Sequence, residues 1–116
     1  MIRKAAQMET EVKNQVRGGI GSVTFQYFFK KEEITAHTRL CSRLILPAGA
    51  SIGLHKHEGE DELFVVTRGK GLIDDGKTRE QVQAGDAILT GKGESHAVIN
   101  NGLEPLEMVA IIMLYA

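Results

Sequence analysis

The chain has 116 residues, of which 42% are hydrophobic, 14 are basic and 15 are acidic. This length predicts one compact domain, residues 1–116, with enough apolar side chains for a core. No basic stripe is present, and the longest apolar run, residues 108–115, is too short to cross a bilayer. Neither nucleic acid nor a membrane is therefore expected as a partner.

Cysteine usage predicts a reducing environment. Cys41 is the only cysteine and has no intrachain partner, and the first ten residues lack the apolar segment of a signal peptide. A cytoplasmic location is expected. A packing role in a strand is favoured for Cys41, with a reactive thiol as the alternative.

Short strands separated by turns run along most of the chain. Residues 1–17 are weakly patterned, and Gly18–Gly21 is interpreted as a flexible connector. Asp75-Gly76 predicts a type I′ hairpin turn. Further strands are predicted at residues 23–29, 39–46, 87–90, 96–100 and 107–115, with a hairpin at 51–68. This spacing indicates an antiparallel sandwich or barrel.

The hairpin at residues 51–68 would collect three metal-binding side chains on one face. His55 and His57 are two residues apart and leave a strand on the same side. Pairing His57 with Glu62 across the polar segment 58–61 places His55 opposite Phe64, and Gly53 opposite Val66.

A fourth side chain, His96, must come from another strand. In residues 96–100 it shares a face with Val98 and Asn100. His37, by contrast, stands alone and is interpreted as a surface residue.

His55, His57, Glu62 and His96 together predict a site for one divalent transition metal. Three imidazoles and a carboxylate suit Mn, Fe, Ni, Co, Cu or Zn, whereas calcium and magnesium prefer all-oxygen shells. With no thiolate in the set, a closed structural zinc site is disfavoured. Positions left open on the ion would permit metal-assisted chemistry. Binding should weaken in acid, because histidine must be deprotonated to coordinate.

Two segments resemble the signature motifs of the cupin superfamily. The first is Gly49-x5-His55-x-His57-x4-Glu62-x6-Gly69. The second is Gly85-x7-Gly93-x2-His96-x3-Asn100, with Gly91 where the family usually has proline. The resemblance implies an all-β, double-stranded β-helix (a jelly-roll barrel) with the ligands pointing inward near one open end. Gly91 should loosen the loop that leads into His96.

Two further features are interpreted within this barrel. By strand parity, Phe64 and Val98 line a pocket beside the metal, with an ordinary core role as the alternative. The last strand is apolar on both faces, which predicts that a second copy covers its outer face in a homodimer.

The function predicted is metal-dependent chemistry on a small oxygenated molecule, resembling decarboxylase or dioxygenase cupins. The alternatives are a non-catalytic module that binds or senses a small ligand at the same metal site, and a metal-free barrel. No acid or base is nominated, since Glu58, Glu60, Asp61 and Glu94 are read as loop carboxylates. Arg39 and Arg43 could attract a carboxylate, but strand parity turns both away from the core.

Overall fold

Ten antiparallel β-strands make up the fold in a computed structural model that describes residues 1–116. The strands are β1 Thr10–Asn14, β2 Ser22–Tyr27, β3 Thr38–Leu46, β4 Ser51–Lys56, β5 Glu60–Arg68, β6 Lys70–Asp74, β7 Arg79–Gln83, β8 Ala87–Thr90, β9 Ser95–Ile99 and β10 Leu106–Leu114. Three single-turn 3-10 helices, Ala5–Gln7, Val16–Gly18 and Lys31–Glu33, complete the secondary structure. No helix is long and apolar enough to cross a membrane.

The strands form two facing sheets. The larger sheet has the order β1-β2-β3-β10-β5-β8, and the smaller has the order β4-β9-β6-β7. From β3 onwards, the chain crosses between the sheets at every connection except the β6–β7 hairpin, which is the double-stranded β-helix that the cupin motifs predict. The predicted fold class is confirmed.

Alternating side chains from both sheets fill the space between them. In β10, for example, Leu106, Met108 and Ala110 are fully buried, and they pack with Phe64 of β5. Burying a large apolar side chain of this kind stabilises a fold by about 1.5–3 kcal/mol. The core therefore fixes the separation of the two sheets, and with it the position of any side chain that points inward.

The predicted hairpin at residues 51–68 is wrong. β4 pairs with β9, and β5 lies between β10 and β8 in the other sheet, so His55 is not opposite Phe64 and Gly53 is not opposite Val66. The polar segment after His57 crosses between sheets, with Gly59 in a left-handed conformation (φ 71°). A polar segment of this length suits a hairpin turn and a crossing between sheets equally well. Only the pairing of the flanking strands distinguishes these two structures.

The orientation predicted for Arg39, away from the core, is wrong, because a β-bulge lies at this residue and Arg39 lines the internal cavity described below. Across β10, Ile112 pairs with Leu40 but Met113 pairs with Thr38, which leaves Arg39 as the extra residue. A bulge breaks the strict alternation of faces on which the parity argument depended. Arg43 lies beyond the bulge and keeps the outward orientation, with Nη1 donating to Oε1 of Gln26 (2.6 Å).

Two turn predictions also need correction. The β6–β7 hairpin forms, but the pairing of Asp74 with Arg79 centres it on Gly76-Lys77, one residue later than predicted. The segment Gly18–Gly21 is not a free connector. Ile20 exchanges hydrogen bonds with Ser51, its N–H donating to Oγ (2.9 Å) and its carbonyl accepting from N–H (2.8 Å).

Candidate metal centre

The four predicted ligands come together between the two sheets. One ligand atom from each of His55, His57, Glu62 and His96 lies within 4.8 Å of the other three. His57, Glu62 and His96 are buried, whereas His55 is half-buried at the cavity side of the group. Convergence is thus produced by two facing sheets and not by one hairpin face.

His55 is positioned by the pairing of β4 with β9. It lies directly opposite His96, and the two ring centroids are 4.7 Å apart. Its Nδ1 lies 2.7 Å from the carbonyl oxygen of Gly53 and so donates to it, which leaves Nε2 as the free ring nitrogen. Backbone geometry therefore sets both the tautomer and the ring orientation of this histidine.

A carboxylate performs the same task for His57. Nδ1 of His57 lies 2.5 Å from Oε2 of Glu60 and donates to it. Glu60 also accepts two hydrogen bonds from Arg39, from Nε (3.0 Å) and Nη2 (2.8 Å). Paired hydrogen bonds of this kind fix a carboxylate in a plane. Glu60 therefore links Arg39 to His57 through hydrogen bonds to both.

His96 is held from the larger sheet. Its Nδ1 lies 2.9 Å from the hydroxyl of Thr90, which accepts the hydrogen bond. Thr90 in β8 pairs directly with Glu62 in β5, so one cross-strand pair supplies both a ligand and the partner of another ligand. The Phe64 ring stacks on His96 with a centroid separation of 4.9 Å and fixes the plane of the imidazole.

These contacts direct several lone pairs at one point. With protons on the Nδ1 atoms, Nε2 of His57 and Nε2 of His96 are both acceptors, yet they lie 3.0 Å apart. Each is also 3.0 Å from Oε1 of Glu62. Buried acceptors that face one another are unfavourable unless something positive lies among them. The donor set thus fits a divalent transition metal.

Burial lowers the pKa of His55, and the nearby charges of His96, His57 and Arg17 act in the same direction, against the hydrogen bond to Gly53. The neutral, metal-binding form is thereby favoured. Hydrogen bonding from Arg39, aided by His57, lowers the pKa of Glu60 to about 2 despite its partial burial. Glu60 is therefore anionic near neutral pH.

A cavity of about 150 Å³ opens beside the cluster. Its wall includes the ligands His55, His57 and Glu62, and the positively charged side chains Lys13, Arg17 and Arg39. Glu62 is the only acidic residue that lines it. Nζ of Lys13 lies 4.5 Å from the centroid of Phe25, another lining residue, which holds this ammonium group at the wall by a cation–π contact.

The two predicted pocket residues have different positions. Phe64 lines the cavity and stacks on His96. Val98 is fully buried in the core cluster and is not among the cavity-lining residues. Asn100, on the same face, donates from Nδ2 to the carbonyls of Leu46 and Glu104, both at 2.9 Å, and so connects the end of β9 to the end of β3 and to the loop before β10.

Most of the loop carboxylates lie outside the site. Glu58 pairs with Lys56, and Asp61 accepts a hydrogen bond from Tyr115 (2.6 Å). Oε1 of Glu94 accepts from the N–H of Gly91 (3.3 Å). Glu60 is the exception, because it contacts His57. The only sequence signal for this contact is the spacing of three residues between the two.

Comparison with known proteins agrees with this geometry. The Cupin domain family matches residues 42–112. A Thermotoga maritima protein named oxalate-binding protein is 38% identical over 114 residues, which cover 98% of this chain and 94% of the relative.

Solved structures extend the likeness to the whole fold. The crystal structure of a predicted oxalate decarboxylase from T. maritima superimposes with a TM-score of 0.93 at 38% identity, covering 98% of this chain and 99% of that one. The Schizosaccharomyces pombe Cnp3 cupin domain, at 16% identity, has a TM-score of 0.71 over 90% of this chain and 68% of that one, a likeness of fold alone. This chain belongs to the cupin family.

Proposed function

We propose that this protein binds a small dicarboxylate of the oxalate class at a divalent metal ion held by His55, His57, Glu62 and His96. The observation that carries the proposal is the cavity beside those ligands, lined by Lys13, Arg17 and Arg39. A compact dianion complements both a metal cation and these positive side chains. The name of the T. maritima relative, oxalate-binding protein, points to the same ligand class.

The ion is a transition metal such as Mn, Fe, Ni, Co, Cu or Zn. When bound, it would supply positive charge and open positions for carboxylate oxygens. Every contact on the Nδ1 side of the histidines, to Gly53, Glu60 and Thr90, favours Nε2 as the metal-binding atom. This supports the ligand set independently of its spacing in the sequence.

Binding without turnover is favoured over a decarboxylase function. Proton transfer to a substrate requires an acid or base within reach of the reacting atoms. Glu62, the one acidic residue that lines the cavity, is assigned to the metal. Glu60 faces away into Arg39 with a pKa of about 2, so that it holds no proton to donate near neutral pH.

Elemental analysis and calorimetry test this function together. Protein purified without chelator is expected to contain a transition metal, and oxalate should bind to the metal-loaded form but not after chelation. His57→Ala should lose both metal and oxalate, with its far-UV circular dichroism unchanged. His37→Ala is the matched control, because His37 is exposed and outside the cluster.

Three outcomes would change the assignment. Protein without metal would indicate a metal-free barrel, and loss of folding in His57→Ala would make the ion structural. Release of carbon dioxide from oxalate, or uptake of oxygen, by the metal-loaded protein would favour the enzyme alternative.

We further propose that residues 1–116 act as one domain in a homodimer, in a reducing cytoplasm where Cys41 stays a thiol. Support for the dimer lies on the outer face of the larger sheet. Cys41, Ile111, Leu63 and Leu89 are successive cross-strand neighbours across β3, β10, β5 and β8. Such a continuous apolar row is typical of a surface that another chain covers.

A further inference from the structure

Arg17 differs from every other arginine in the chain. The other five of the six arginines each lie within 4.0 Å of a carboxylate. Arg17 has no such partner, although it lines the cavity beside the metal ligands. Its guanidinium, which stays charged at all ordinary pH values, is therefore available to an anion in that cavity.

The backbone at Arg17 is held in an unusual conformation. Arg17 has φ 53° and ψ 32°, and Gln15, two residues earlier, has φ 51° and ψ 48°. Left-handed backbone is unfavourable for side chains of this size and persists where surrounding structure imposes it, often at ligand sites. No ion pair of Arg17 within the chain offsets this strain.

Glycines in the neighbouring segments allow the loop to pack directly against β4. A Cβ atom on Gly53 would lie 2.0 Å from the carbonyl oxygen of Arg17, and one on Gly19 would lie 2.1 Å from that of Ser51. Both positions exclude any larger residue. The backbone of Arg17 is therefore held against Gly53, which lies two residues before His55 in β4. The loop therefore presents Arg17 at a set distance from the metal ligands.

The other two cations of the cavity are less free. Arg39 is engaged by Glu60 through two hydrogen bonds, and Lys13 lies over the Phe25 ring. A guanidinium also binds a carboxylate through two parallel hydrogen bonds, which an ammonium group cannot do. Arg17 is thus the group in the cavity best suited to a second carboxylate.

We propose that Arg17 is the specificity-determining residue that selects dicarboxylates, by binding the carboxylate oxygens that the metal leaves free. This inference rests on the proposed function. It predicts that ligands with one carboxylate and one hydroxyl, which leave Arg17 one free carboxylate oxygen where a dicarboxylate leaves two, depend less on this residue.

Calorimetry on Co²⁺-loaded protein tests the inference with oxalate and glycolate as paired probes. Arg17→Asn removes the charge while keeping a residue that tolerates left-handed backbone. We expect its oxalate dissociation constant to rise at least about tenfold, as for the loss of one charged hydrogen bond, and its glycolate constant to rise by a smaller factor. Arg17→Lys should lie between wild type and Arg17→Asn.

Controls separate a ligand contact from a structural role. The visible spectrum of bound Co²⁺ and the thermal midpoint of Arg17→Asn should match the wild type. Arg68→Gln, which alters an exposed arginine paired with Glu107, should bind both anions normally. Wild-type affinity for oxalate in Arg17→Asn, or equal losses for both anions, would overturn the inference. A wild-type protein that binds neither anion would instead refute the proposed function.

Discussion

Glu60 is the hydrogen-bond partner of His57, with Oε2 of the carboxylate 2.5 Å from Nδ1 of the imidazole. His57 follows the end of β4 and Glu60 begins β5, so this hydrogen bond joins the ends of two strands that belong to different sheets. Carboxylates behind a metal-binding histidine fix its tautomer and increase its basicity. Glu60 is therefore a positioning residue for the metal centre.

Glu60→Gln tests this role. The amide keeps the size of the side chain but loses the charge that binds Arg39 and polarises His57, so metal affinity should fall about 10–100-fold. The measurement is a Co²⁺ titration in competition with a chelator of known affinity. Glu58→Gln serves as the control, because Glu58 is exposed and pairs only with Lys56. Equal affinities for both variants would show that Glu60 does not position His57.

Acid should destabilise the metal-free protein through two groups. The pKa of His55 is lowered by burial, so the unfolded chain binds the proton more readily and stability falls as the pH drops below about 6.5. The pKa of Glu60 is lowered from 4.5 to about 2 by Arg39. Its contribution, on the order of 1–3 kcal/mol, is complete above pH 4.5 and is lost between 4.5 and about 2.

Urea unfolding at several pH values isolates the contribution of Glu60. Circular dichroism is the suitable signal, since the chain has no tryptophan. Wild type and Glu60→Gln should differ most above pH 4.5 and converge towards pH 2. A difference between them that stays constant down to pH 2 would contradict the ion pair with Arg39.

The local part of this structure could be predicted from sequence, whereas its tertiary pairing could not. The bounds of β8 agree with the prediction at both ends, and the four ligands converge as their motif indicates. The partner of β4 was missed because loop composition alone does not distinguish a hairpin from a crossing between sheets. Arg39 was misplaced because the bulge beside it arises from its register with β10, some 70 residues later in sequence.

The environment of Gly91 also depends on a contact with a residue distant in sequence. The loop was expected to be loose without the usual proline, but the site of a Cβ atom on Gly91 is occupied by the Asp61 carboxylate, 1.8 Å from Oδ1. That carboxylate accepts from Tyr115, whose hydroxyl oxygen also accepts from the N–H of Lys92 (3.2 Å). Gly91 thus makes room for contacts that hold the loop.

Gly91→Ala should therefore destabilise the protein by about 1–2 kcal/mol, because Asp61 must move and lose the hydrogen bond from Tyr115. In the double variant Gly91→Ala/Asp61→Ala the added methyl group meets no carboxylate. Its loss of stability in urea should then be smaller than the sum of the two single losses. Strict additivity would mean that Asp61 does not determine the residue tolerated at position 91.

Dimerisation is the remaining prediction, and it depends on the outer face of the larger sheet. Beside the row formed by Cys41, Ile111, Leu63 and Leu89 runs a second row in which Val109 pairs with Val65. Leu89 is 62% exposed. A stable interface buries about 1,200–2,000 Å² in total. A twofold contact that places this face against its own copy would cover both rows at once.

Leu89→Glu should convert the dimer to a monomer at micromolar concentration. The substitution lies on an edge strand at an exposed position, so the barrel should stay folded while two carboxylates are forced into the apolar contact of the dimer. Leu103→Glu is the matched control, since Leu103 is 97% exposed in a loop outside this face. Analytical ultracentrifugation distinguishes the states. A monomeric wild type would contradict the homodimer itself. A Leu89→Glu variant that stays dimeric would show that the outer face of the larger sheet is not the interface, because two carboxylates buried in an apolar contact should separate the copies.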